Sequence, residues 1–167
     1  MKCALLAAIL ALYTLSAGCG TAATFPDPPT CATPTPLPIT PGRGSSNPYF
    51  TSVRVSVDRV ASLREQLRAA YPGDKFSRSS QFRVDFATYA DTTACVARTL
   101  KDLKPTTATF EQYDADLDAA VQALIEHTAL GRDAVRRRNV SDYRVWYSGV
   151  DLKIAEVRTA SNAPRQR

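Results

Sequence analysis

His127 is the only histidine in the chain, so every acid–base reading of the sequence runs through it. A hydrolase triad needs a base within reach of its nucleophile. His127 follows Glu126 on the flank of a helical apolar stripe, with no G-x-S-x-G motif nearby, and it reads as an edge histidine rather than a base. The same count bears on metal centres. A di-iron bundle takes Glu-x-x-His from two helices and two further glutamates. Bis-histidine haem needs a second imidazole, the single methionine is Met1, and there is no C-x-x-C-H. Asp114-x-Asp116-x-Asp118 has the spacing that opens a calcium loop. Its sixth place is Ala119 where glycine is required, and its twelfth is Ile125 where glutamate is required. Those aspartates fall on different faces of a helical period and read as solvated surface. Gly131 and Gly149 stand alone, outside any phosphate-cradling loop. The expectation is no catalytic residue, no metal and no cofactor.

The cysteines are more informative. Residues 1–19 read MKCALLAAILALYTLSAGC: a positive Lys2, an apolar run from Ala4 to Leu15, small residues, then Cys19. The run is shorter than the roughly 20 residues of a bilayer span, and the pattern is that of a secretion signal. The ending Leu15-Ser16-Ala17-Gly18-Cys19 resembles the lipobox of bacterial lipoproteins, with Ser16 at the place where leucine is commonest. That resemblance implies a signal peptide over 1–18, a diacylglyceryl group on the Cys19 thiol, and an extracytoplasmic face of a cell membrane. An anchor of two or three acyl chains would hold the protein firmly. Cys3 leaves with the signal. Cys31 and Cys95 remain, and in an oxidising compartment they are expected to pair; the alternative is a buried Cys95 and a free Cys31.

Between anchor and domain the composition changes. Pro26, Pro28, Pro29, Pro34, Pro36, Pro38 and Pro41 crowd residues 19–47, and Gly42, Gly44, Ser45 and Ser46 close the stretch. Proline fixes φ and removes backbone donors, so a disordered, extended spacer is expected.

From Asn47 the apolar spacing is helical. Asn47-Pro48 reads as a cap followed by proline at the first helical position. Val53, Val57, Val60, Leu63, Leu67 and Tyr71 follow at three and four, although Val53, Val55 and Val57 also alternate like a strand. A second helix starts near Ser80, with Phe82, Phe86, Tyr89, Thr93, Val96, Leu100 and Leu103 inward, and stops before Pro105. Thr109-x-x-Gln112 suits a capping box for a third, with Phe110, Tyr113, Leu117, Val121, Leu124 and Thr128 as its stripe. Asn139 suits a left-handed turn and Ser141 the cap of a fourth helix lined by Tyr143, Trp146, Val150, Ile154 and Val157. Four amphipathic helices with short connections predict an all-α, up-down-up-down four-helix bundle over 48–162, with a disordered tail at 163–167. The stretch from Phe82 to Val157 also resembles small helical lipoproteins of bacteria, through Phe86-x-x-Tyr89, Cys95, Leu100-x-x-Leu103 and Pro105. That resemblance implies no activity.

The formal charge is +5, and the densest basic run, Arg136-Arg137-Arg138, reads as a solvated helix end. Neither argues for nucleic acid. The expected function is a non-enzymatic envelope lipoprotein that contacts an unidentified protein partner. The alternative is a carrier of a small apolar ligand or haem, with Tyr89, Tyr113, Tyr143 and Trp146 as ligand contacts around a cavity of about 300 Å3.

Overall fold

The structure, a computed structural model, describes residues 24–31, 48–72, 79–105 and 110–162. Four helices follow one another: α1 (Pro48–Ala70), α2 (Ser80–Asp102), α3 (Glu111–Arg137) and α4 (Val140–Ala160). Chain neighbours pack against each other and α4 returns to α1, which makes the expected all-α four-helix bundle. Among the described residues no helix is long and apolar enough to cross a membrane.

Burial settles the ambiguity at the start of α1. Val53 and Val57 are buried four residues apart on one helical face, while Val55 between them is 62% exposed. A strand would have put all three on one side. Leu67 closes the stripe and the helix stops at Ala70, ahead of Tyr71-Pro72. Ser79 caps α2, its hydroxyl accepting from the Phe82 N–H at 3.1 Å. The α3 start differs from expectation. Its cap position is Phe110, without a side-chain cap bond; Thr109 lies outside the described residues, and Gln112 donates to Asp116 at 2.8 Å. Glu111 and Asp114 in the first turn and Arg136 and Arg137 in the last favour the helix electrostatically instead.

The α3–α4 turn is also shifted from the expected register. Arg138, not Asn139, takes the left-handed conformation, at φ 57°. The Arg138 and Asn139 N–H groups bond back to Val135 and Ala134, closing a Schellman turn. Asn139 is the cap of α4, its Oδ1 accepting from the N–H of Ser141 and of Asp142, so Ser141 lies inside the helix. An asparagine reaches two otherwise orphaned donors from that position, which leaves the left-handed residue to the arginine before it.

Two glycines let α3 and α4 approach closely. A Cβ on Gly131 would lie 2.4 Å from Cδ1 of Trp146, and one on Gly149 would lie 2.8 Å from Cε1 of His127. Neither glycine is the isolated feature it appears in the sequence: each is the floor on which a ring from the other helix rests.

The expected spacer needs correcting over residues 24–31. These are held in an extended run against α2 and α3, and they are not free of the bundle: the Cys31–Cys95 disulfide fixes one end and a pair of arginines holds Phe25 at the other. Residues 1–23, on which the expected signal peptide and Cys19 fall, residues 32–47 of the expected spacer and the expected tail at 163–167 lie outside the described residues.

Candidate functional site

The titratable groups singled out by sequence are used in packing. His127 Nε2 is 2.8 Å from the Trp146 carbonyl oxygen; with the proton on Nε2 it donates, pinning α3 to α4. Glu126 accepts from Gln122 at 2.8 Å. Asp114 and Asp118 do not point to different faces: four residues apart, both accept from Lys104, at 2.8 and 2.7 Å, and Asp114 also accepts from the Tyr49 hydroxyl. Asp116 lies apart with Gln112. Among the described residues no group of three or more histidine, cysteine, aspartate or glutamate side chains is placed to hold a metal ion.

Three of the four aromatic candidates converge. Trp146 meets Phe86 at 4.7 Å, Tyr143 at 5.3 Å and Tyr89 at 6.0 Å between ring centroids, mostly edge to face. Tyr113 does not join them. It sits at the opposite end of the bundle against Phe50 and Tyr49 and donates to the Ser161 carbonyl at 2.9 Å. The rings of Tyr143 and Trp146 fill their own space. A pocket of about 290 Å3 opens near the Tyr113 end, lined by Phe50, Arg54, Asp58, Arg158 and Ser161 among others, and includes none of the four. Tyr89 borders a cleft of about 220 Å3 between α1 and α2.

Over the cluster lies a buried cation that periodicity does not announce. Arg64 is 3% exposed. Its guanidinium stands 5.3 Å from the Trp146 ring centre and 5.0 Å from that of Tyr147, and Nε donates to Asp151 at 2.9 Å. The partner is 87 residues away in sequence, so only the assembled bundle defines the pair.

Burial pushes the Tyr89 phenol up to about 12, against the opposing pull of the Arg64 cation. Burial and the neighbouring Asp114 charge push Tyr113 up to about 12 as well. A folded value above the unfolded value of about 10 contributes stability that is complete below pH 10 and lost as pH rises towards 12. Tyrosinate absorbance at 295 nm should therefore show a late-ionising fraction in the folded protein, merging with the rest in guanidinium. A single transition near pH 10 in the folded state would contradict it.

The segment from Thr24 to Cys31 forms the most distinctive arrangement. The Phe25 ring lies between two guanidiniums, Arg132 at 5.0 Å and Arg83 at 5.5 Å. Arg132 also donates to the Pro26 carbonyl at 2.6 Å and makes a two-pronged pair with Asp91, at 2.7 and 3.2 Å. Six residues on, Cys31 is bonded to Cys95, and Arg98 donates to Cys31 Sγ at 3.3 Å. A polyproline-like run advances about 3.1 Å per residue, or about 19 Å from Phe25 to Cys31. An α-helix covers nearly the same length, about 18 Å, from Arg83 to Cys95. The strap runs parallel to α2 and closes over the α2–α3 groove, with a cavity of about 180 Å3 left beneath it at Pro28, Pro29, Thr128 and Arg132. Sequence signalled the cysteine pair; Phe25, Asp91 and Arg132 carried no signal, because each matters only through its partners on other elements.

No known protein family, curated protein or solved structure matches the chain.

Proposed function

We propose that the chain is a lipoprotein held by acylated Cys19 on an extracytoplasmic membrane face, and that its bundle is a non-enzymatic module binding another envelope protein through the outer face of α4. The observation that carries the binding reading is an uncharged stripe on that helix. Val145, Ser148, Leu152, Ala155 and Thr159 recur at helical spacing and are all exposed, with Val145 at 55% and Leu152 at 60%. The stripe is about 21 Å long at 1.5 Å per residue. Single exposed apolar residues are ordinary, but two on one face in an uncharged row suit a partner's apolar helix. The anchor reading is supported by the apolar run and the Leu15–Cys19 motif. The ring-on-ring packing of Tyr143 and Trp146 weighs against a carrier with its ligand between them.

Two measurements test the two halves. Radiolabelled palmitate should enter the wild-type protein and not Cys19→Ser, which should leave the membrane fraction; label on Cys19→Ser would defeat the anchor. For the stripe, Val145→Asp with Leu152→Asp should change stability by less than about 1 kcal/mol, since neither residue is in the core. The same variant should lose photo-crosslinks from a probe at Ala155 by at least tenfold. Crosslinks of undiminished yield would refute the α4 surface.

A further inference from the structure

We propose that the α3–α4 turn is a membrane-contact site, with Arg136, Arg137 and Arg138 on anionic lipid headgroups and the bundle standing end-on. This rests on the anchor proposed above at Cys19. The direction of the strap sets the orientation. Phe25 is clamped by Arg83, in the first turn of α2, and Arg132, shortly before the end of α3. The chain therefore meets the bundle beside the end where α1 and α3 finish and α2 and α4 begin. Six residue steps separate Phe25 from Cys19, a reach of at most about 20 Å. The α3 helix has 27 residues, or about 40 Å. A lipid on Cys19 can bring the α3–α4 turn to the bilayer; it cannot bring the Tyr113 end there in an end-on pose.

Charge at that turn fits the same surface. Arg136, Arg137, Arg138 and Arg144 are exposed there. The carboxylates opposing them are Asp133, paired with Arg136 and Arg137, and Asp142, 3.6 Å from Arg137. At its other end α3 opens with Glu111 and Asp114. Backbone conformation supplies an independent observation. Arg138 is the one non-glycine residue with positive φ among the described residues. Glycine takes that conformation at less cost, so the chain keeps a cation at its tip against a local preference, as functional positions do. A basic side chain near an anionic bilayer adds about fivefold to affinity.

The experiment uses the full-length chain, expressed in a bacterial host, extracted from membranes and reconstituted in vesicles of phosphatidylcholine alone or mixed with phosphatidylglycerol. The mass of the N-terminal peptide reports acylation of Cys19 separately from orientation. Hydrogen exchange over residues 136–143 should slow about fivefold or more on the anionic vesicles, with no change over 158–161. Arg138→Glu should lose that slowing. Arg138→Gly should lose part of it while keeping or gaining stability, so the loss cannot come from misfolding. Acylated protein that exchanges alike on both vesicles, or is protected at 158–161 instead, overturns the contact site while leaving the anchor in place. An unmodified Cys19 overturns the anchor and this orientation with it.

Discussion

Reduction of the Cys31–Cys95 bond should lower the stability of the bundle by about 4 kcal/mol, for a loop of 64 residues in the chain-entropy description. A stability of 5–15 kcal/mol is typical of such domains, so the loss is a large share of the total. Most of it acts on the unfolded chain, which regains the freedom to separate Cys31 from Cys95. The folded bundle should therefore keep its helical signal in reductant while its urea midpoint drops. Cys31→Ser with Cys95→Ser should behave as the reduced protein does. Losing the bond also removes one of two fastenings of the strap, so Phe25 and its clamp of Arg83 and Arg132 would hold the segment alone. Phe25→Ala should cost less in the reduced protein than in the oxidised one, because an untethered strap can leave the groove without unfolding the bundle. A reductant-induced change below about 1 kcal/mol would mean that the crosslink constrains little in either state.

Gly131→Ala should destabilise, although alanine for glycine inside a helix ordinarily gains about 1 kcal/mol. The new methyl would meet Cδ1 of Trp146 at 2.4 Å and Cγ at 2.5 Å. That indole cannot move away. It is fully buried, braced by Phe86, Tyr89 and Tyr143, with Arg64 over its ring. Overpacking of a braced core costs about 2–3 kcal/mol, which outweighs the helical gain. The clash predicts its own remedy. With Trp146→Phe, which shortens the ring system above the glycine, the added methyl should cost far less, and a double-mutant cycle should return a coupling of about 1–2 kcal/mol. Additive effects in that cycle would show that the two positions do not press on one another.

Much of the fold was legible because helices bury stripes and stripes have a period. The inward residues of α4, Tyr143, Trp146, Val150, Ile154 and Val157, are all buried as spacing required. In α1 and α2 the expected stripes hold at Val53, Val57, Val60 and Leu67 and at Phe82, Phe86, Tyr89, Thr93 and Leu100. Periodicity carries no information where a residue's role depends on a different element. Arg64 and Asp91 are charged residues that the bundle buries because Asp151 and Arg132 face them from other helices. Gly131 looked inert because its significance is the tryptophan opposite. The turn after α3 lies one residue from its expected register, since two candidate caps compete in the sequence and only geometry decides between them. Residue type alone marks the four aromatic candidates, and type does not say that Tyr113 lies at the far end from the other three.

The strap gives the molecule a definite path for mechanical force. Residues 48–70 of α1 lie inside the covalent loop closed by Cys31 and Cys95. Tension applied to the N-terminal segment passes through Phe25–Cys31 and crosses the sulfur bridge into α2, so α1 bears none of it. Because the strap lies parallel to α2 along about 18 Å, the pull loads their contacts together, in shear, where a terminal helix would peel away turn by turn. Any pull on the N-terminal segment is thus carried past the first helix by one bond.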